Sequence, residues 1–353
     1  MNNPKTYESH VVKTMAFIRQ QKPSMKDSTA STYTRMLRKL CQAYGDKGKD
    51  MTMTLGLIPA CFLNALDILK EIELSDWKDS TKKNNMSLML TMLRCFLGDD
   101  KYLDSETYQT YRSAFDKLKA SNYAKQEQQK PTETEAGLEG IHFDRLPTYL
   151  NTHMNKIRSG TSKDLKSALL NMLGHLHCDQ VLRNECAGMM LTKNYLDKDD
   201  YPKTNFIWNK GRNVKMLVIR DNKVRNADLG NEPKEVWLKG KVNTAINKYI
   251  QVLSNTLNVA LMDVVPLVTS KNFTNSLTSG DGSENISSSH YSQVFKGIWE
   301  HKGFNLTTTQ VRKLYAMDVR DKFKGNLLKE KEACIKLDHS ESTHNLHYIL
   351  DFS

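Results

Sequence analysis

The feature that most restricts this chain is a polar stretch about a third of the way along it. Residues 121–138, SNYAKQEQQKPTETEAGL, carry almost no large apolar side chain. Such a segment buries too little apolar surface to offset the entropy lost on ordering. A chain interrupted in this way folds as two bodies. The boundaries read as a first domain over residues 1–122, a linker over 123–140 and a second domain over 141–353.

The two parts differ in pattern. In the first, Ser28, Thr29 and Ser31 offer N-caps ahead of Tyr33, Met36, Leu37, Leu40, Cys41 and Tyr44, a helical spacing. Further helices are expected over 55–74, from Ser80 onward with Met86, Met89, Leu90, Leu93 and Leu97, and over 105–118. The second part opens with helices expected over 144–158 and 163–176, then becomes strand-like. Residues 205–209 and 213–220 are β-prone around a Lys210–Gly211 turn, and 236–238 suggest a third strand. Helices resume at 243–257, 291–301, 308–323 and the C-terminal end, while 270–290, rich in Ser, Asn, Thr and Gly, reads as a mobile loop. The expected fold class is mainly α with a small antiparallel β-sheet: a helical domain followed by a mixed α/β domain.

A formal net charge of +11 is shared by both parts, which favours a polyanionic partner, nucleic acid first. None of the six cysteines forms a CxxC pair, so reduced, intracellular usage is expected. His175, His177 and Cys178 lie together without a matching second ligand pair, and no metal is expected there. The N-terminus has no apolar core of a signal peptide. The most apolar stretch, 55–69, is too short and too interrupted to span a membrane.

Four segments of the second part carry a recognisable order of reactive residues. They are VLRNE with Arg183 and Glu185, WNKGRNVK with Lys210, LTTTQVRKLYA with Arg312, and KLDHSESTHNLHY with His339 and Tyr348 nine residues apart. In order and spacing these segments resemble the catalytic domain of tyrosine recombinases (integrases). The N-terminal STASTYTRMLRKL and STKKNNMSLMLTMLRCF more loosely resemble that family's helical core-binding domain. The resemblance implies a site-specific enzyme that cuts and rejoins double-stranded DNA through a 3′-phosphotyrosine, without metal, nucleotide or other cofactor. It implies roles as well. Tyr348 would be the nucleophile, and Arg183 and Arg312 a clamp on the phosphate. Lys210, or alternatively Lys215, would protonate the leaving 5′-oxygen. His339 would hydrogen-bond the phosphate or orient the tyrosine, and Glu185 would support the site.

One position departs from the pattern. The family's His-x-x-Arg box would place a histidine at 309, where this chain has Thr309, which can hydrogen-bond phosphate but is no base near neutral pH. Telomere resolvases, which resemble the same family and make hairpin products, also replace that histidine. A non-catalytic DNA-binding protein on the same scaffold is the other reading that Thr309 leaves open. Only five residues follow Tyr348, little for the C-terminal exchange between protomers that recombinases often use. A homodimer or homotetramer on DNA is expected, wherever the DNA lies: host cytoplasm in a prokaryote, nucleus in a eukaryote. Candidate DNA contacts in the first part are Arg35, Lys39, Lys82 and Lys83.

Overall fold

The computed structural model describes residues 4–46, 64–99, 101–157, 162–221, 232–257, 264–268 and 286–351. Residues 55–63 of the helix expected over 55–74, and most of the loop over 270–290, lie outside the described residues. The chain forms two compact units, 1–128 and 129–353.

The first unit is helical: α1 (Pro4–Gln21), α2 (Asp27–Asp46), α3 (Ala65–Leu74), α4 (Asp79–Leu97) and α5 (Glu106–Glu127). Its centre is α4, whose Met86, Leu88, Met89, Leu90, Met92 and Leu93 are all buried. Apolar side chains on nearly every side make it an interior helix rather than an amphipathic one. From α2 come Met36, Leu37, Leu40, Cys41 and Tyr44, and from α1 come Val11, Met15 and Ile18. Gly98 ends α4 with φ +82, a left-handed conformation that costs glycine nothing. Ser105 caps α5 by accepting the Tyr108 N–H.

The expected linker over 123–140 takes a different form. Residues 123–127 are the last turns of α5, and the chain from 129 onward packs into the second unit. Thr132 and Glu135 form a capping box at a single helical turn, and the Glu135 carboxylate pairs with Lys313. Gln310 donates from Nε2 to the Thr134 carbonyl at 3.1 Å, and Leu138 enters the core. One buried leucine, one largely buried ion pair and backbone contacts order a segment that composition alone marks as loose.

The second unit is built on α6 (Ser162–Gln180), which packs along α7 (Gly240–Leu257). A Cβ at Gly174 would lie 2.4 Å from Leu150 Cδ2 and 3.0 Å from Ile298 Cγ2, so a larger residue there would force those buried side chains to shift. Five strands follow the order β4–β3–β2–β1–β5: β1 Met190–Thr192, β2 Phe206–Gly211, β3 Val214–Ile219, β4 Lys234–Leu238 and β5 Val264–Pro266. The sheet is mixed rather than purely antiparallel, because β1 and β2 run parallel while the other pairs are antiparallel. Its alternation puts Leu191, Ile207, Leu217 and Ile219 into the main core, and Phe206, Met216 and Val218 into a smaller cluster with Leu196. The chain closes with α8 (Ser288–Lys296), α9 (Thr308–Lys322), α10 (Leu327–Lys336) and α11 (Glu341–His347). Among the described residues no helix is long and apolar enough to cross a membrane.

Candidate active site

The site is assembled where α9 passes beneath the turn between α10 and α11. Thr307 and Gln310 cap α9 reciprocally, fixing its first turn. One turn on, Arg312 is 2% exposed. Its Nη1 donates to the Val181 carbonyl at 2.6 Å, its Nη2 to the Leu337 carbonyl, and its Nε to the Tyr348 hydroxyl at 3.3 Å. The guanidinium also lies 5.4 Å from the centre of the Tyr348 ring. Tyr348 is 8% exposed and caps the end of α11.

Two backbone distortions frame the arginines. Val181 has φ +46 and Asp338 φ +48. The left-handed region is costly for a β-branched residue, on the order of 1–3 kcal/mol, and persists only where the surroundings impose it. The carbonyl of Val181 accepts from Arg312, and that of Asp338 accepts from Arg183 Nη2 at 3.4 Å. Each strained residue thus offers its carbonyl to one arginine.

The electrostatics are those of a buried cluster with more cations than carboxyls. Burial lowers the Arg312 pKa, and the nearby Arg183 lowers it further, against the opposing pull of Tyr348 and Glu185. Burial raises the Glu185 carboxyl, with both arginines opposing it. His339 is pushed down to about 3, first by burial and then by Arg312, His344 and Arg183, so it is neutral near pH 7. Its ring meets the Tyr348 ring edge-on at 4.4 Å between centroids, and its Nε2 faces His344 Nδ1 at 3.0 Å. Arg183 Nη1, Glu185 Oε2, His339 Nδ1 and His344 Nε2 are buried and lack a hydrogen-bond partner. Buried polar atoms without partners are uncommon in folded proteins, and several in one neighbourhood mark a place built for something else to enter.

Arg183, Glu185, Arg312, His339 and Tyr348, drawn from three separate segments, therefore meet. Among the described residues, no hydrogen bond or ion pair joins Lys210 to them; its ammonium lies over Trp208. Lys210 lies within β2 rather than in the turn, which is formed by Arg212 and Asn213. The register shifts between Asn209 and Gly211, so Lys210 is the extra residue of a bulge, exposed, with its ammonium 5.4 Å from the Trp208 ring centre. Lys215 is fully buried. Its Nζ donates to the carbonyls of Gly211 and Arg212 and to Asn247 Oδ1 at 2.6 Å, and burial lowers its pKa to about 8. Thr309 is exposed on α9, while its neighbour Thr308 is buried and donates to Asn184 Oδ1 at 3.0 Å.

Sequence reasoning missed His344, Asn184 and the carbonyls of Val181 and Asp338. A second histidine in DHSESTH was the visible signal for His344. The carbonyls had none. His177, in the group read as non-ligating, donates to or accepts from the Tyr291 hydroxyl at 2.7 Å in the core. Of the candidate DNA contacts, Arg35 and Lys39 are exposed one turn apart on α2, whereas Lys82 Nζ is held by the Glu73 carbonyl at 2.7 Å and Lys83 is half-buried. Comparison of the chain with protein-family models, with curated proteins and with solved structures finds no match.

Proposed function

We propose that the second unit carries out phosphodiester transesterification on DNA with Tyr348 as nucleophile, the chemistry of a tyrosine recombinase. The observation that carries the reading is the meeting of Arg183, Arg312, His339 and Tyr348 in a cluster where two arginines face a single carboxyl, that of Glu185, and neither is held in a salt bridge among the described residues. Two coupled guanidiniums, one with an unpartnered buried N–H, suit an oxyanion with several acceptor oxygens.

In the reaction, Tyr348 Oη attacks phosphorus and the bond to the 5′-oxygen breaks. A 3′-phosphotyrosine forms and keeps the bond energy for rejoining. The departing oxygen takes a proton from Lys210, the exposed lysine of the hairpin. Burial lowers the Lys215 pKa, but all three of its donors are engaged by protein acceptors. Neutral His339, packed edge-on against the tyrosine ring, orients Tyr348, whose phenolic proton passes to solvent. The Arg312 Nε–H stabilises the oxygen as charge develops. Site-specific recombination of double-stranded DNA by a dimer or tetramer is the outcome this chemistry serves. Hairpin resolution at DNA ends is the alternative product.

A second reading has its own observation. Arg312 already satisfies two carbonyls, and Tyr348 is nearly enclosed, as in a scaffold that binds DNA without cutting it. Trapping separates the two. Nicked suicide duplexes drawn from the termini of the encoding genome are incubated with the chain, denatured, and resolved for a protein–DNA adduct. An adduct that disappears in Tyr348→Phe is the expected result. Tight binding to the same duplexes with no adduct favours the non-catalytic scaffold.

A further inference from the structure

The turn between α10 and α11 holds three metal-ligating side chains together, and standard backbone motifs put them there. The C-terminus of α10 is a Schellman motif: the His339 N–H bonds the Cys334 carbonyl at 3.1 Å, and the Asp338 N–H bonds the Ile335 carbonyl at 3.1 Å. This motif sets the side chains of residues 334 and 339 side by side, a position usually filled by an apolar pair. Ser340 then caps α11 by accepting the Thr343 N–H. His339 and His344 thereby occupy the two positions of a hydrophobic staple, again usually apolar. Here all three positions carry ligands. One ligand atom from each of Cys334, His339 and His344 lies within 4.8 Å of the others.

We propose that Cys334, His339 and His344 form a binding site for a borderline-soft divalent cation of the zinc type, with a fourth position open. The two imidazole nitrogens that face each other stand 3.0 Å apart. Two nitrogens on a tetrahedral zinc at about 2.0–2.1 Å each stand roughly 3.4 Å apart, so a small opening of the pair admits the ion. Thiolate and imidazole are the donors that such an ion prefers.

The proton count closes. Two neutral rings share one proton across the 3.0 Å contact and hold a second on an outer nitrogen. When the metal takes the facing nitrogens, the shared proton moves to the other outer nitrogen, and both rings stay neutral. The thiol releases its proton to solvent, as a coordinating thiol does. The outer atoms, His339 Nδ1 and His344 Nε2, are the buried nitrogens without partners. The metal fixes the tautomer of both.

The surrounding charges divide. Arg312, Arg183, His347 and Arg320 act against a cation on the histidine side. Glu330 and Glu341 act for it beside Cys334, with Glu330 also acting on His344. Cys334 and His344 are 5% and 3% exposed, so the thiolate–imidazole set is shielded from competing water. The site does not depend on the recombinase reading, although His339 belongs to both.

The test uses the full chain, reduced and freed of metal, titrated with Co²⁺. The expected spectrum has the visible bands of tetrahedral cobalt with a thiolate-to-metal charge-transfer band. Both saturate at one cobalt per chain and are erased by Zn²⁺. His344→Ala weakens cobalt binding by about a hundredfold or more, since even outer-shell losses cost ten- to a hundredfold. Cys334→Ser removes the charge-transfer band, while Cys178→Ser, a buried cysteine outside the cluster, leaves it. Circular dichroism checks that each variant is folded. X-ray absorption of the zinc-loaded wild-type chain reads one sulfur and two imidazoles without any substitution. A spectrum that stays octahedral, bands that survive intact in folded His344→Ala, or a shell without sulfur overturns the proposal.

Discussion

The two units of this chain differ in what they do with their basic residues: both pair cations with carboxylates at the surface, but only the second, among the described residues, also buries cations. In the first, cations sit at the surface and pair with carboxylates: Arg38 with Glu8, Arg94 with Asp99, Arg112 with Asp116 and Lys125 with Asp79, at 2.5–2.7 Å. In the second, three cations are buried and held by neutral oxygens. Arg312 bonds two carbonyls. Lys215 bonds two carbonyls and an amide oxygen. Arg220 bonds the carbonyls of Leu196, Asp197 and Tyr201. The second unit has paired lysines as well: Lys313 with Glu135 and Lys234 with Asp338, both largely buried, and Lys322 with Asp144 and Asp318, Lys329 with Glu332 and Lys331 with Glu341 nearer the surface. A carboxylate partner cancels a charge, whereas carbonyl dipoles hold it without cancelling it. The surface pairs therefore contribute little to stability or field, while the buried cations stiffen the fold and leave a positive interior.

The comparison is most exposed to failure at Arg312. Truncating it to methionine keeps much of the volume but leaves the Val181 and Leu337 carbonyls without donors, beside a residue already at φ +46. We expect Arg312→Met to destabilise the chain by about 3 kcal/mol, from the 1–3 kcal/mol typical of each orphaned buried polar group. Urea denaturation measures this. Arg312→Lys, able to reach one carbonyl but not both, should recover only part. A loss near zero would show that the carbonyl bonds do not stabilise the fold, and the distinction between the units would fail.

Lys215 sharpens the same point through pH. Its pKa in the folded chain is about 8, against an ordinary 10.5, because burial disfavours the charged form. The depressed folded value means that the unfolded chain binds the proton more tightly between those two pH values. The burial penalty is full below about pH 8 and is relieved as pH rises toward 10.5, so stability should climb across that window. In Lys215→Met that climb should be absent. A wild-type curve that is flat there would mean that the three acceptor oxygens fully compensate the ammonium.

These differences explain what could be read without coordinates. The helical interior of the first unit was legible because Met86, Met89, Leu90 and Leu93 repeat at helical spacing, and the hairpin because two β-prone runs flank a Gly. The three-residue strands β1 and β5 were not legible, since so short a strand has no periodicity; they make the sheet mixed. Nor was α1, in which a narrow stripe of Val11, Met15 and Ile18 is diluted by polar neighbours. At the site, the order Arg183, Arg312, His339, Tyr348 named residues that meet. Sequence did not separate Lys210 from Lys215, because which lysine points into the core depends on strand alternation and a bulge. It also did not show the carbonyls that hold Arg312, which belong to residues of no distinctive type.

On DNA, the exposed and the tethered cations of the first unit should part company. Arg35 and Lys39 are exposed on one face of α2, whereas Lys82 is held by a carbonyl. If both exposed cations contact phosphates, Arg35→Ala with Lys39→Ala lowers the slope of log affinity against log salt by about 1.8, near 0.9 per phosphate. Lys82→Ala with Lys83→Ala should lower it by less. Fluorescence anisotropy over a salt series reads both. An unchanged slope for the first pair would remove α2 from the interface.

The smallest effect is expected at a surface pair, and its smallness is informative. Arg38 and Glu8 make a two-pronged contact, yet each side chain is about half exposed, at 53% and 50%. The contact with Arg38 holds the Glu8 carboxyl below its ordinary value. Any stability from the pair is therefore present above the ordinary carboxylate pKa of 4.5 and lost as pH falls through the lowered one. Solvent screens the attraction, and fixing two long side chains offsets much of what remains. Glu8→Gln should leave the urea midpoint within experimental error at neutral pH, at both low and high salt. A shift comparable with that of Arg312→Met would mean that surface geometry can rival burial in this chain. The contrast between the units would then rest on position alone and not on energy.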